Sequence, residues 1–495
     1  MSNASIGKWA ETMNKLVNGR APVAVVTWTP VPESIVIYNR DRKKPADMKF
    51  KIFILALVAG TASAITLAEQ YAQNMRAAAR AGNDTYVKLV LDTKIVPVDS
   101  ADPNGWTSLH WASYFGRSKV VKLLLDYKAN VTLRTNSNIT ALIAAAANGS
   151  LEICQMLVDA NSDINAQEKD GYSALITASR AGNIGIVELL LNNSADITLK
   201  TKAGQTAFML AAMENHVDVQ KALVAEGANV NDQDSLGYTA LILSSKAGHT
   251  ETVEYLLSQN ASVHLRSNTN DSALMWAAYY NHLEIAKMLI NAGINVNYGD
   301  NQGWTALMGA SAQGHVEMVK LLLGHSANAS QQNVFGHTAL TLSSAVGKDD
   351  VSDILSNSDV SLINQQDSKG MTPFVQAIVN NQTYVFRVLA YKCPNISIPD
   401  STGQTAMDYA VQLQNQYMID LLHVMENPRC YRFDVEYHQN DPVYQNCERL
   451  ICHCTGVWKS TGIIDEECGK GRRQIVSMQR AVRGRVFEQA SRITS

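Results

Sequence analysis

Gly237-Tyr238-Thr239-Ala240-Leu241 and Gly303-Trp304-Thr305-Ala306-Leu307 are two copies of one five-residue pattern, and its recurrence decides the fold. Further copies are Gly105-Trp106-Thr107-Ser108-Leu109, Gly171-Tyr172-Ser173-Ala174-Leu175 and Gly204-Gln205-Thr206-Ala207-Phe208. Gly336-His337-Thr338-Ala339-Leu340, Gly370-Met371-Thr372-Pro373-Phe374 and Gly403-Gln404-Thr405-Ala406-Met407 complete the series, and Asn138 and Asn270 fill the glycine slot of two more. The slots fall 33 residues apart, except for one step of 34 between Gly336 and Gly370, where a loop over 356–362 absorbs the extra residue. A fixed period of this length marks stacked structural repeats.

Each copy predicts a tight turn followed by two helices. The slot demands a left-handed backbone, which glycine adopts freely and asparagine tolerates. Asp102, Asp234, Asp300, Asp367 and Asp400 stand three residues earlier, as position i of a type I turn. The Thr or Ser two residues after the slot is an N-cap. Alanines such as Ala144, Ala145, Ala211 and Ala277 keep the first helix thin. Val120-Val121-Lys122-Leu123-Leu124-Leu125 and Met318-Val319-Lys320-Leu321-Leu322-Leu323 give the second helix an apolar face that only a neighbouring repeat can cover.

The Gly-x-Thr-x-Leu start, the Gly-His before the second helix (Gly248-His249, Gly314-His315) and the closing Gly-Ala-Asn-Val-Asn over 227–231 resemble the ankyrin repeat family. The resemblance runs over about residues 70–427 and implies an all-α solenoid with a finger-like turn per repeat. It divides the chain into an N-terminal capping repeat over 65–98 and ten repeats over 99–427, eleven units in all. One departure is that the family's helix-start histidine survives only as His110; Ile143, Ile176, Met209, Ile242, Met275 and Met308 stand elsewhere. The family binds protein partners on a concave face lined by finger tips and first helices. The resemblance carries that role onto Trp106, Tyr172, Tyr238 and Trp304, after the slot, and onto Trp111, Tyr114, Phe115, Trp276, Tyr279 and Tyr280 on first helices. Tyr and Trp after the slot are common in the family, so that row has an ordinary packing explanation too. The pairs Tyr114-Phe115 and Tyr279-Tyr280 cannot all face the core.

Outside the repeats, residues 48–64 combine Lys49 and Lys51, an apolar run from Ile52 and the small-residue end Ala62-Ser63-Ala64. This is the pattern of a secretory signal peptide. It makes Met48 the start and residues 1–47 an upstream extension; an unused or anchoring apolar segment on a cytoplasmic adaptor is the alternative. A secreted or lumenal scaffold follows from the first reading. Cys393, Cys430, Cys447, Cys452, Cys454 and Cys468 are then an even set suited to disulfides, concentrated in a cysteine-rich region over 428–468. Cys452-His453-Cys454 with His438 is the zinc alternative, although no Cys-x-x-Cys spacing supports it. Cys154 aligns with Val121, Val187, Val253 and Val319 and reads as core. Ten Asn-x-Ser/Thr sequons after residue 65 suit a glycoprotein.

The formal net charge is −3, but residues 469–495 hold seven basic side chains against Glu488 alone, leaving the body acidic. An acidic body argues against nucleic acid, favours a basic partner, and leaves membrane contact to the basic tail or an uncleaved apolar segment. His216, His249, His282 and His315 recur too far apart for one ion. No phosphate loop, nucleophile elbow or metalloprotease helix is present, so the reading is a monomeric, non-catalytic protein-binding scaffold with no cofactor; an enzyme in the cysteine region is a distant alternative.

Overall fold

The computed structural model describes residues 60–426. Residues 1–47, most of the expected signal segment, five of the six paired-cysteine candidates (Cys430, Cys447, Cys452, Cys454 and Cys468) and the basic tail lie outside the described residues. Those described form 22 α-helices in eleven antiparallel pairs, from Gly60–Ala81 with Asp84–Asp92 to Ala406–Gln412 with Gln416–Glu426. No helix among them is long and apolar enough to cross a membrane. The opening helix runs unbroken through Ala62–Ala64, where the sequence suggests a cleavage junction.

After that opening helix, each first helix has 7 or 8 residues and each second helix 8 to 11. The first helices start as the sequence predicts. Thr140, Ser173, Thr206, Thr239 and Thr305 each accept a hydrogen bond from the backbone N–H three residues on. Each such cap contributes about 1 kcal/mol. First helices pack extensively against their successors and second helices only sparingly, so the stack curves with the first-helix row inside.

The core is one continuous cluster along the stack, from Ala72 to Leu422. Each second helix inserts its apolar residues between neighbours: Val120, Val121 and Leu124 in one repeat, Ile186, Val187 and Leu190 two repeats on. Cys154 is fully buried in this row, as aligned, and burial pushes its thiol up to about 12.

The turns form a second ladder. In every glycine slot the backbone is left-handed, from φ 63° at Asn138 to 86° at Gly171. The turn closes with the slot N–H donating to the residue three before, as from Gly105 to the Asp102 carbonyl at 2.8 Å. Asp102 Oδ1 also accepts the N–H of Asn104 and of Trp106, both at 2.9 Å. The sequence pattern names aspartate alone for this duty, but Glu168 and Asn333 do the same, and Thr135 and Thr201 do it with a hydroxyl. Successive turns are tied together: Lys202 donates to Asp170 O, Ser235 to Ala203 O, Asn268 to Leu236 O and Val334 to Gln302 O, at 2.8 to 2.9 Å.

The 34-residue step resolves as expected in place and differently in kind. The second helix Asp349–Ser358 overruns, and a 3-10 turn over Val360–Asn364 buries Leu362 and Ile363. Elsewhere the second helix ends on a left-handed residue, among them Lys128, Asn161, Ser194, Gly227 and Cys393.

Candidate functional site

Stacking thin first helices beside tied turns produces one long concave surface, and aromatic residues collect on it in two places. In the first, Trp106 stands 4.6 Å from Trp111 and edge-on to Tyr114 at 5.7 Å, while Trp111 stacks on Phe115 at 6.0 Å. In the second, Trp276 stacks on Tyr280 at 6.0 Å, and Tyr279 meets Tyr280 edge-on at 5.1 Å. Tyr114, Tyr279 and Tyr280 stay exposed at 45%, 42% and 47%. Such rings offer large contact area with few rotatable bonds.

A cation from the preceding first helix covers each tryptophan. Arg80 lies over Phe115 at 4.8 Å and over Trp111 at 5.4 Å. Lys246 lies over Trp276 at 4.1 Å and reaches Tyr238 at 5.9 Å. Neither cation has an ion-pair partner among the described residues. Sequence reasoning missed both, because the ring and its cation sit a full repeat apart.

The row after the glycine slot divides. Trp106 joins the first cluster, and Tyr238 reaches the second through Lys246. Tyr172 and Trp304 are half-buried against the core without an aromatic neighbour, which suits packing. Three exposed apolar residues at turn tips were also missed: Leu236 at 62%, Val334 at 64% and Phe335 at 47%. Apolar residues at turn positions usually held by polar ones were the available signal.

Trp111 has a second role. Its indole N–H donates to Asp102 Oδ2 at 3.4 Å, as Tyr409 O–H donates to Asp400 at 2.5 Å and Gln376 to Asp367 at 2.8 Å. In the second cluster the turn position holds Ser267, and the buried Trp276 N–H has no acceptor among the described residues.

The recurrent histidines sit at the N-cap positions of second helices, where their side chains make no capping hydrogen bond and instead stitch repeats. Nε2 of His216, His249, His282 and His315 meets the carbonyls of Arg180, Met213, Lys246 and Tyr279 at 2.8 to 3.3 Å. Arg117 and Gln382 do the same at their positions. His110 is different: buried, it holds Thr107 Oγ1 through Nδ1 at 2.8 Å and reaches the Leu133 and Ile139 carbonyls through Nε2. Burial holds its pKa below the ordinary imidazole value. Among the described residues no group of three or more His, Cys, Asp or Glu is placed to hold a metal ion. Cys154 is a free thiol.

Charge is sorted by row. The second helices carry 16 acidic against 7 basic side chains, whereas the first helices carry 2 acidic against 4 basic. The excess acid of the body therefore lies largely on the outer row, and the net charge does not describe the concave first-helix surface.

Comparison with known proteins agrees with this architecture. A family model described as ankyrin repeats (3 copies) matches residues 74–135, 132–201, 195–267 and 259–333. A palmitoyltransferase AKR1 of Eremothecium gossypii is 49% identical over 45 residues, 9% of this chain and 6% of the relative. An ankyrin repeat, SAM and basic leucine zipper domain-containing protein 1 of Saimiri boliviensis boliviensis is 30% identical over 82 residues, 17% of each chain. A calmodulin-binding transcription activator CBT of Oryza sativa subsp. japonica is 41% identical over 58 residues, 10% of this chain and 6% of the relative. The chain spans under a fifth of the length of these curated relatives. The family match runs without a gap over 74–333, more than half of the chain, across the same turns, caps and helix pairs: this chain belongs to the ankyrin repeat family.

Proposed function

We propose that the chain is a non-catalytic scaffold that holds a protein partner on its concave face, anchored at the two aromatic clusters. The observation that carries this reading is the repetition of one arrangement: Trp111, Tyr114 and Phe115 recur as Trp276, Tyr279 and Tyr280 five repeats later, each with a cation over the tryptophan. At about 8–10 Å per stacked helix the clusters lie roughly 40–50 Å apart. A small ligand cannot span them; a protein surface or an extended segment can. The exposed tips Leu236, Val334 and Phe335 border the second cluster along the stack and widen the apolar area there.

The signal pattern over 48–64 and the even cysteine set support export, with disulfides from Cys393 onward closing the C-terminal end. N-terminal sequencing of protein from its native host tests export; a mature chain beginning near Ile65 is the expected result, and one retaining residues 48–64 refutes it. The test of the binding face is a pull-down with wild type and the Tyr114→Ala/Tyr279→Ala variant, once the variant is shown to melt normally. Truncating a hot-spot aromatic costs about 2 kcal/mol or more, so partners should be lost. Equal recovery by the well-folded variant removes the aromatic face as the site.

A further inference from the structure

Beside the first aromatic cluster, between the opening helix Gly60–Ala81 and the first turn, lies a cleft of about 450 Å³ whose lining includes Glu69, Gln73, Arg76, Arg80, Asp102 and Trp111. We propose that this cleft reads an acidic side chain of the partner, set next to an apolar residue that packs on Trp111. The proposal rests on the concave-face reading above and adds the chemistry of what that face recognises.

Three observations support an anionic occupant. Arg76 has a side chain only 7% exposed, yet its bonds are long: 3.3 Å to Ser100 Oγ and 3.5 Å to Glu69, whose own side chain is 68% exposed. A guanidinium carries five N–H donors and is costly to bury without strong acceptors. Arg80 lies on the Phe115 and Trp111 rings without an ion-pair partner among the described residues. A guanidinium stacked this way keeps its in-plane N–H groups directed outward, the geometry that grips a carboxylate in two places. Arg117 places a third guanidinium beside Arg80, donating from Nε to the Arg80 carbonyl at 3.0 Å.

The acids nearby do not reverse this balance. Asp102 is committed inside its own turn, accepting two backbone N–H groups through Oδ1 and the Trp111 indole through Oδ2. Glu69, the one acidic partner of Arg76 among the described residues, is solvated. A basic side chain entering the cleft would meet the guanidinium groups of Arg76 and Arg80. The cleft volume is within the range that holds a charged side chain with an apolar neighbour. The proposal departs here from the expectation of a basic partner, which was drawn from net charge alone.

The experiment is a selection of displayed random peptides on the full chain, run in parallel on wild type, Arg80→Glu and Tyr114→Ala/Tyr279→Ala. Arg80 is exposed, and a melting curve confirms that Arg80→Glu folds. Wild type should enrich peptides with Asp or Glu beside Trp, Phe or Leu. A representative acidic peptide should bind Arg80→Glu at least tenfold more weakly, in line with the loss of a charge-assisted hydrogen bond. Arg80→Glu should instead enrich Lys or Arg. Basic peptides on wild type, or an unchanged preference with Arg80→Glu, overturn the assignment. If those basic peptides disappear on Tyr114→Ala/Tyr279→Ala, the concave-face reading survives without it; if the enriched peptides are indifferent to that variant, the concave-face reading falls as well. Failure to enrich any peptide also overturns the proposal, since the cleft then does not read a short segment.

Discussion

Two glycines in one repeat allow the turn ladder to be tested against simple backbone strain. Gly204 fills the slot at φ 77°, and a Cβ built there would lie 2.6 Å from Ser235 N, the group that donates to Ala203 O in the ladder. Gly227 ends the following second helix at φ 88° and would meet nothing within 4 Å. Gly227→Ala therefore carries only the left-handed cost, about 1–2 kcal/mol, offset by about 0.4–1 kcal/mol from the stiffer unfolded chain. Asn161, Ser194 and Asn260 at the equivalent positions, with φ 57–62°, show that L residues are accepted there. Gly204→Ala has the same terms plus an overlap with backbone that cannot rotate away. Overpacking of that kind adds about 1–3 kcal/mol, so the expected losses are about 0.5–1 kcal/mol against about 1.5–4 kcal/mol. Urea titrations followed by circular dichroism, both variants on one background, measure the gap, and hydrogen exchange at Ser235 locates it. Equal losses, or retained protection at Ser235 in Gly204→Ala, would show that the turns are not energetically coupled and refute the reasoning.

Leu190→Ala empties a fully buried second-helix position and should cost about 2–5 kcal/mol by denaturant titration; a loss under about 0.5 kcal/mol would contradict its place in the core. The Cys154 thiol, buried and pushed up to about 12, should resist thiol reagents at neutral pH until the protein unfolds; rapid labelling of native protein contradicts that burial. If the disulfide proposal holds, mass spectrometry before and after reduction should find the cysteines from Cys393 onward oxidised, and six free thiols or bound zinc in secreted protein would refute it. His110 is held neutral by burial, so its folded pKa lies below the unfolded one and the unfolded state binds the proton more readily. Its contribution is present above the ordinary value of 6.5 and is lost as pH falls below it; His110→Ile, the residue used at Ile143 and Ile176, should flatten that part of the stability profile, and an unchanged slope would count against the shift.

The repeat architecture was legible because its causes are local. Thr caps, slot glycines and turn aspartates act within about five residues of themselves, so the period displays them directly. What escaped notice acts between repeats. His216, His249, His282 and His315 look like simple turn residues until their acceptors, 36 residues earlier, are brought alongside by stacking. Arg80 and Lys246 are unremarkable helix cations in sequence; only the stack sets them over Trp111 and Trp276. Leu236, Val334 and Phe335 were hidden by the ordinary assumption that turn tips are solvated. Net charge hides the sorting for a related reason, since it sums two helix rows that face opposite ways.

The scaffold itself has no need for aromatics at the cluster positions. The place held by Trp111 and Trp276 is filled in other repeats by Ala144, Thr177, Leu210, Leu243, Gly309, Leu342, Gln376 and Tyr409, and those repeats keep the same caps and turns. The place held by Tyr114 and Tyr279 is taken elsewhere by Ala147, Arg180, Met213, Ala312 and Gln412. A stack that tolerates glycine and alanine at the first column, and alanine and arginine at the second, does not depend on either for stability. Packing alone therefore does not account for two groups of rings that leave tyrosines more than 40% exposed, and Trp276 even has a buried N–H without an acceptor, a cost of about 1–3 kcal/mol. The proposed contact with a second molecule would account for both the exposure and the cost, and for their occurring together in the same two repeats.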